Sequence, residues 1–178
     1  MLHMFFPSER AKSVFAIDYQ KLYDLGCRAV LFDIDNTLVH HGKDSTPEVD
    51  ALFRQIHSIG LKTMLISNNG VERIERFLRN IDSPYIPNAD KPDPANYRRA
   101  LALLGVSREE TVFIGDQIFT DIFGANRCGI PSILVDFIRV PNETRIGIRR
   151  HAEKAVLFVC RICRRPGSRI GDIWKEGL

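Results

Sequence analysis

Two aspartates separated by one residue follow a short apolar segment, and a third aspartate follows a later one. Asp33 and Asp35 come directly after Ala29–Phe32, and Asp116 comes soon after the apolar residues 111–114. A carboxylate is a weak nucleophile, but it attacks phosphorus well when a metal ion neutralises the surrounding charge. Mg2+ suits such a site because it takes hard oxygen ligands and leaves room for substrate phosphate. The spacing predicts Asp33 as nucleophile, Asp35 as general acid and base, and Asp116 as a metal ligand.

A second set of polar residues has the chemistry needed to hold a phosphoryl group. Asp121 lies five residues after Asp116, where it could hold a metal-bound water or orient that ligand. Hydroxyl and amide groups donate hydrogen bonds to phosphate oxygens, and a lysine stabilises developing oxyanions. The phosphate-binding candidates are Thr37, Ser67, Asn68 and Lys91. Taken singly, each candidate has a simpler interpretation, because loop aspartates are usually turn residues and Lys-Pro is usually a surface bend.

The elements that would position these residues alternate between apolar and amphipathic segments. Thr46-Pro47 and Asp93-Pro94 are typical helix starts, and Gly60 ends the first of these helices. The predicted strands are Ala29–Phe32, Lys62–Ile66, Tyr85–Ile86, 111–114 and Ser132–Val135, and the predicted helices are 47–59, 71–78 and 94–104. This alternation predicts an α/β fold with a doubly wound, Rossmann-like parallel sheet in a three-layer sandwich. Ligands of such sheets bind beyond the carboxyl ends of the strands, which is where the polar candidates lie.

Length and composition are those of a folded domain. The chain has 178 residues, of which 44% are hydrophobic and 26% charged, so it can bury a substantial core. No apolar run approaches the roughly 20 residues of a membrane-spanning helix, and the first ten residues lack a secretory pattern. We expect a single domain over residues 1–178, with its motifs in residues 29–138. We also expect a cytoplasmic protein, with peripheral membrane attachment as an open alternative.

Charge is distributed unevenly along the chain. Residues 1–138 carry 15 Lys and Arg against 18 Asp and Glu, whereas the C-terminal extension, residues 139–178, carries 10 against 4. Apolar residues at helical spacing in this extension predict one stripe, made of Ala152, Ala155, Val156, Val159 and Cys163. The basic residues around it are Arg145, Arg149, Arg150, Lys154, Arg161, Arg164 and Arg165. Either this helix lies on an anionic membrane, or its stripe packs on the sheet and the arginines face solvent.

The extension also contains a single Cys-x-x-Cys pair, Cys160 and Cys163. A zinc site needs four ligands, and His151 is a candidate for only a third, so helical packing is the favoured interpretation. A nucleic-acid-binding tail would interleave aromatic residues with the basic ones, and only Phe158 and Trp174 occur here. Specific nucleic-acid binding is therefore not expected, and the sequence leaves the oligomeric state open.

The ordered motifs resemble those of the haloacid dehalogenase-like (HAD) hydrolases. Members of that family have DxDxT after a hydrophobic strand, then a Ser or Thr, then a Lys, and finally GDxxxxD. This chain has DIDNT at residues 33–37, Ser67, Lys91, and GDQIFTD at residues 115–121. The resemblance implies Mg2+, an aspartyl-phosphate intermediate and phosphate hydrolysis. The metal ligands that it implies are Asp33, Asp116 and the backbone carbonyl of Asp35, with Asp121 in support.

Closer similarity is to the YqeG type, a group of nearly capless phosphatases within this family. The segments that carry it are DIDNTLV, ISNN, KPDP and GDQIFTDIFGAN. Only 12 residues separate Asp35 from Glu48, and residues 67–91 have room for one helix and a short strand, so neither type of cap fits. An uncapped crevice accepts a phosphate on a bulky or membrane-embedded group. Eukaryotic relatives of the type are phosphatidylglycerophosphate phosphatases, which implies a lipid head group as substrate.

Three functions remain as hypotheses at the level of sequence. The first is a Mg2+-dependent phosphomonoesterase acting on phosphatidylglycerophosphate, and the second is the same chemistry on a soluble sugar, nucleotide or polynucleotide-end phosphate. The third is a non-catalytic phosphate-binding module, which is disfavoured because every motif residue is present. The loop after the first motif contains four residues that could contact a substrate head group, although a solvated loop is the favoured interpretation. They are His40, His41, Lys43 and Asp44.

Overall fold

A parallel sheet of six strands forms the centre of the computed structural model, which describes residues 2–138, 148–163, 170 and 173. The strands are β1 (Glu9–Ala11), β2 (Ala29–Phe32), β3 (Lys62–Ile66), β4 (Tyr85–Ile86), β5 (Thr111–Gly115) and β6 (Ser132–Val135). Their order across the sheet is β1-β6-β5-β2-β3-β4, and each neighbouring pair is parallel. The carboxyl ends of β2, β3 and β5 therefore lie side by side at one edge of the sheet.

Helices cover both faces of this sheet. They are α1 (Tyr19–Asp24), α2 (Pro47–Ile59), α3 (Val71–Phe77), α4 (Pro94–Leu104), α5 (Phe123–Arg127) and α6 (Ile148–Cys163). Alternate residues of β2 point to opposite faces, so Val30 and Phe32 pack with α1, α2 and α3, whereas Ala29 and Leu31 pack with α4 and α5. The predicted three-layer α/β sandwich is confirmed.

Local sequence signals set the ends of the helices that flank the site. The Thr46 side chain accepts a hydrogen bond from the Val49 amide at the start of α2, and Gly60 ends that helix at φ 97°. Asp93 Oδ1 accepts from the amide of Ala95 at 2.9 Å in the same way at the start of α4. Because these caps satisfy backbone groups that a helix end leaves unpaired, the predicted bounds of both helices are confirmed.

Several elements were not predicted because they carry little periodic signal. Strand β1 has three residues, and it is held by its pairing with β6, where Glu9 lies opposite Ile133. Helix α1 has six residues, too few to show a clear period. The connection from β5 to α5 begins as a π-helix over Ile118–Ile122. Such tertiary pairing overrides what a short window of sequence can indicate.

Helix α6 confirms the predicted helix and places part of the predicted apolar stripe against the protein. Val156 of that stripe and Leu157 pack against Ile118, Ile122 and Leu134, and Glu153 is buried. Ala152 and Ala155, which also belong to the stripe, are exposed, and the membrane alternative for the stripe remains a prediction. Glu153 accepts a hydrogen bond from the Ile118 amide at 2.8 Å, which holds its side of the helix against the protein.

Several predictions for the C-terminal extension fall outside the described residues. These are Arg145, Arg164 and Arg165, together with the side chains of Arg149, Arg150, His151, Arg161 and Cys163. The Cys-x-x-Cys pair and its hypothetical zinc site therefore stay untested. In the part of the chain that the structure describes, no helix combines the length and the apolar character needed to cross a membrane.

Candidate active site

Neighbouring strands bring two of the predicted carboxylates together. Asp33 follows β2 and Asp116 follows β5, and the Asp33 amide extends the pairing of these strands by donating to the Ile114 carbonyl at 3.0 Å. The Thr37 hydroxyl lies 3.1 Å from Asp33 Oδ2 and 3.1 Å from Asp116 Oδ1. Thr37 therefore links the first and fourth motifs, and its predicted contact with substrate phosphate remains a prediction.

The main chain turns sharply between the two aspartates of the first motif and Thr37. Asn36 adopts φ 63°, a left-handed conformation that asparagine tolerates better than most residues. The next amides then bond back to the Ile34 carbonyl, from Thr37 at 3.3 Å and from Leu38 at 2.9 Å. This tight turn returns the Thr37 side chain to the end of β2, where it meets Asp33.

Lys91 joins the nucleophile candidate to the fourth motif. Its ammonium nitrogen lies 2.5 Å from Asp33 Oδ1 and 2.8 Å from Asp121 Oδ1, and the side chain is only 3% exposed. Asn68 holds the backbone of this lysine, because its Oδ1 accepts from the Lys91 amide at 2.8 Å. The other oxygen of Asp121 accepts from the Gln117 amide at 3.0 Å, which fixes its orientation.

Burial and charge act in opposite directions on these groups. Burial raises the pKa of the Asp33 carboxyl to about 6, aided by the charge of Asp121 and opposed by the charge of Lys91. Burial alone would lower the pKa of Lys91, but the charges of Asp121 and Asp33 outweigh it and raise that pKa. The lysine therefore stays protonated, and its charge favours the ionised form of Asp33.

Three buried carboxylates form a cluster that could hold a cation. Asp33, Asp116 and Asp121 each place one oxygen within 4.8 Å of the others. These hard, anionic oxygens match the ligands that Mg2+ prefers. Among the described residues, the carboxylate of Asp35 lies outside this cluster. The role of its backbone carbonyl remains a prediction.

Asp35 instead lies among hydrogen-bond donors from α3 and two loops. Its Oδ1 accepts from Arg73 Nη2 at 2.9 Å and from the Gly42 amide at 3.1 Å. Its Oδ2 accepts from Asn69 Nδ2 at 2.9 Å and lies 3.2 Å from His41 Nδ1. Burial by itself would raise the pKa of Asp35, but the bonds from Asn69, Gly42 and Arg73 together hold it below its ordinary value.

A cavity of about 180 Å³ lies over this arrangement. It is lined by Asp33, Asp35, Asn36, His41, Ser67, Asn68, Asn69, Lys91, Gln117 and Thr120. The structure thus gathers five predicted residues around one cavity, namely Asp33, Asp35, Ser67, Asn68 and Lys91. Asp121 and Asp116 are buried behind it, at 1% and 3% exposure. The sequence prediction of one convergent polar site is consistent with this placement.

Two residues of the site were missed by the sequence-based prediction. Asn69 bonds to Asp35 and also donates to Ser67 Oγ at 2.9 Å, so it connects the acid and base candidate to a phosphate-binding candidate. Its position in a polar cluster after β3 was a usable signal. Arg73 carried no such signal, because it is one of several charged residues on a short helix.

Comparisons with known proteins identify the family. The family model for haloacid dehalogenase-like hydrolases matches residues 41–129. The probable phosphatase YqeG of Bacillus subtilis (strain 168) is 33% identical over 159 residues, which make up 88% of this chain and 92% of that protein. The chain belongs to the haloacid dehalogenase-like hydrolases. Within that family it is a YqeG-type phosphatase.

Other HAD-type relatives match over a smaller part of their length. Glyceraldehyde 3-phosphate phosphatase of Methanopyrus kandleri is 29% identical over 99 residues, covering 50% of this chain and 42% of that protein. Phosphoserine phosphatase of Thermus thermophilus is 31% identical over 100 residues, covering 51% of this chain and 40% of that protein. The chain thus spans less than half of each of these two relatives.

Solved structures share the HAD fold. An uncharacterized protein from Listeria monocytogenes serotype 4b has a TM-score of 0.53 at 19% identity, covering 75% of this chain and 99% of that chain. NagD from E. coli K-12 has a TM-score of 0.53 at 14% identity, covering 68% of this chain and 94% of that one. The predicted HAD-like fold is confirmed, and the described residues contain no large cap domain.

Close packing at Gly115 provides a test of the site geometry. A methyl group on this residue would lie 2.5 Å from Asp121 Oδ2 and 2.6 Å from its Cβ. We expect Gly115→Ala to displace Asp121 and its partner Lys91, and to lower kcat for p-nitrophenyl phosphate roughly 10²-fold, since misplacement by about 1 Å costs that much. Gly70→Ala is the control, because its methyl group would meet nothing within 4 Å. An unchanged kcat in a folded Gly115→Ala protein would contradict this geometry.

Proposed function

We propose that this HAD phosphatase hydrolyses phosphate monoesters through an aspartyl-phosphate intermediate on Asp33, in a site that uses Mg2+. The observation that carries the proposal is the position of Asp33, whose carboxylate meets Lys91 beneath a polar cavity shared with Asp35. A nucleophile, a proton-transfer group and a fixed cation on one cavity are the parts that phosphoryl transfer requires.

In the first half of the proposed reaction, an oxygen of Asp33 attacks phosphorus. The phosphorus–oxygen bond to the leaving group breaks, and the leaving oxygen takes the proton from the Asp35 carboxyl. Lys91 favours this step because it keeps Asp33 ionised and offsets negative charge on the phosphoryl oxygens. Asn68 and Ser67 line the same cavity and would donate hydrogen bonds to those oxygens.

In the second half, water attacks the phosphorus of the acyl phosphate and Asp35 accepts its proton. The bond from phosphorus to Asp33 breaks, which releases phosphate and restores both carboxyl groups. The hydrogen bonds from Asn69, Gly42 and Arg73 hold the pKa of Asp35 below its ordinary value, so the carboxyl gains its proton when substrate binds, because a phosphate dianion beside it raises that pKa. One residue can therefore serve as acid and then as base within a single cycle.

Mg2+ would be held by Asp33 and Asp116, with Asp121 and the backbone carbonyl of Asp35 in support. Support comes from the three buried carboxylates, which each place one oxygen within 4.8 Å of the others, while Lys91 contacts two of them, Asp33 and Asp121. Bound Mg2+ would stabilise the negative charge on the phosphoryl oxygens and reduce their repulsion with the attacking carboxylate. Asp121 is best placed as a supporting residue, since its two oxygens already accept from Lys91 and Gln117.

The favoured substrate is phosphatidylglycerophosphate, as the resemblance implies. A groove of about 410 Å³ lies between β6 and α6 beside Asp116, with apolar lining from Ile118, Leu134, Phe137 and Leu157. Its charged lining is mixed, because Arg10 pairs with Asp136 at 3.4 Å and Lys154 lies beside Glu153 in sequence. The apolar part of this groove is the feature that suits a bulky leaving group. The second candidate is a soluble phosphate ester, which the names of the archaeal and Thermus relatives favour.

We also propose that the protein is cytoplasmic and contacts anionic membranes peripherally through the C-terminal extension. Phe158 is 66% exposed on α6, and Lys154 is exposed nearby. An exposed aromatic residue beside basic ones is typical of helices that bind at a membrane interface. The extension's excess of basic residues supports attraction to anionic lipid.

Removal of the Asp33 carboxylate tests the covalent route. Asp33→Asn should lower kcat by several orders of magnitude on p-nitrophenyl phosphate, because the nucleophile is lost. Asp82→Asn is the control, since Asp82 is exposed and outside the cavity. Circular dichroism melts of both variants would show that the fold persists. A folded Asp33→Asn protein that keeps a tenth of wild-type activity would contradict the assignment.

Metal removal tests the acidic cluster. EDTA should abolish phosphate release and excess Mg2+ should restore it, whereas Ca2+ should restore it poorly because its larger, looser coordination misplaces the nucleophile. Calorimetric titration of Mg2+ should in addition show binding to wild-type protein and much weaker binding to Asp116→Asn. Full activity in the chelator would rule out the metal-dependent mechanism.

A substrate panel combined with vesicle flotation tests the lipid hypothesis. We expect faster phosphate release from phosphatidylglycerophosphate than from sugar phosphates, nucleotides or DNA 3′-phosphate ends. We also expect flotation with phosphatidylglycerol vesicles at low salt, weakening at high salt, and none with zwitterionic vesicles. Four basic side chains at an anionic surface contribute about 4 kcal/mol, which salt screens. Equal flotation with both lipids, or none at low salt, would favour a soluble substrate.

A further inference from the structure

Arg73 occupies an unusual position behind the acid and base candidate. It lies on α3, its side chain is only 13% exposed, and its Nη2 donates to Asp35 Oδ1 at 2.9 Å. Among the described residues, its Nε and Nη1 are buried without a hydrogen-bond acceptor. Leaving N–H groups buried and unpaired costs free energy, which an arginine that only solvates the surface would avoid by turning outward. The buried guanidinium lies 5.9 Å from the Phe77 ring centre, and its charged partner is Asp35.

We infer that Arg73 is a positioning residue that fixes the orientation of the Asp35 carboxylate toward the leaving-group oxygen. The inference rests on the proposed function, in which Asp35 donates and then accepts a proton. Arg73 and the Gly42 amide hold Oδ1, and neither residue lines the cavity. Oδ2 accepts from Asn69 at 2.9 Å and lies 3.2 Å from His41, and both of these side chains line the cavity. Oδ2 is therefore the oxygen that we assign to proton exchange.

Helix α3 offers a matched control for this role. Arg73 Nη2 also donates to the Lys43 carbonyl at 2.6 Å. Arg76, one turn further along the helix, donates to the Gly42 carbonyl at 3.0 Å and pairs with Asp44 at 2.6 Å. Both arginines therefore hold the loop of residues 42–44 against α3. Of these two arginines, Arg73 donates a hydrogen bond to Asp35, whereas the described contacts of Arg76 are with Gly42 and Asp44.

The difference between these arginines predicts a dependence on the leaving group. An alkoxide is a poor leaving group and needs a proton as it departs, whereas p-nitrophenolate departs without one. General acid catalysis contributes on the order of 10²–10⁴-fold where it operates. A misoriented Asp35 therefore slows alkyl phosphates selectively. Loss of folded protein or a general distortion slows both classes of substrate by the same factor.

The test compares kcat and KM for β-glycerophosphate and p-nitrophenyl phosphate in wild type, Arg73→Met, Arg76→Met and Asp35→Asn. We expect Arg73→Met to lower kcat for the alkyl ester roughly tenfold or more beyond its effect on the aryl ester, with little change in KM. Arg76→Met should change both substrates equally. Arg73→Lys keeps a cation that can donate to Asp35, so it should restore part of the kcat for the alkyl ester that Arg73→Met loses.

The ratio of the two kcat values stays informative even if Arg73→Met is less stable, because the folded fraction cancels from it. Equal losses on both substrates in Arg73→Met would overturn the inference, as would the same selective loss in Arg76→Met. If Asp35→Asn is selective for the alkyl ester and Arg73→Met is not, the inference alone fails. If Asp35→Asn leaves kcat for the alkyl ester unchanged, both the inference about Arg73 and the proposed role of Asp35 fail.

Discussion

The ion pair between buried Lys91 and the carboxylates of Asp33 and Asp121 is the interaction on which the rest of the site depends. A charge removed from water is tolerated only when it is paired and hydrogen-bonded, and each member of this group meets that condition through the others. Asp116 places an oxygen within 4.8 Å of an oxygen of each of the other two carboxylates. Three hard oxygen donors this close together are suited to a divalent cation and, together with it, to a phosphoryl group.

Parallel strands supply the geometry that brings these charges together. Adjacent strands β2 and β5 end at the same edge of the sheet, so Asp33 and Asp116 meet although they are far apart in sequence. Thr37 spans the remaining gap with one hydroxyl, across 79 residues of chain. The sheet holds Asp33, the proposed nucleophile, while loops after the strands carry Ser67, Asn68 and Lys91 to the same cavity. Strands buried on both faces position side chains more precisely than loops do, whereas loops adapt more easily.

The described residues contain no large cap domain, and two helices, α3 and α6, hold the segments that border the site. Helix α3 holds the loop of residues 42–44 through Arg73 and Arg76, so a few side chains define one wall of the site. Helix α6 packs on the opposite side through Val156 and Leu157, and Glu153 bonds to the start of the π-helix that carries Asp121. The C-terminal extension is thereby connected to the fourth motif by a direct hydrogen bond.

The sequence by itself determined the α/β architecture, the bounds of the main strands and capped helices, and five of the polar residues that line one cavity, namely Asp33, Asp35, Ser67, Asn68 and Lys91. These features depend on local signals, namely apolar runs of strand length, Thr46 and Asp93 before prolines, and acids placed after strands. Only the tertiary structure decided that Thr37 bonds to two carboxylates, that Asn68 holds the Lys91 backbone, and that Arg73 reaches Asp35. It also decided which face of α6 is buried, since Glu153 finds its partner in a distant loop. Spacing along a chain encodes which residues an element carries, but the direction of each side chain is set by partners that folding brings from elsewhere.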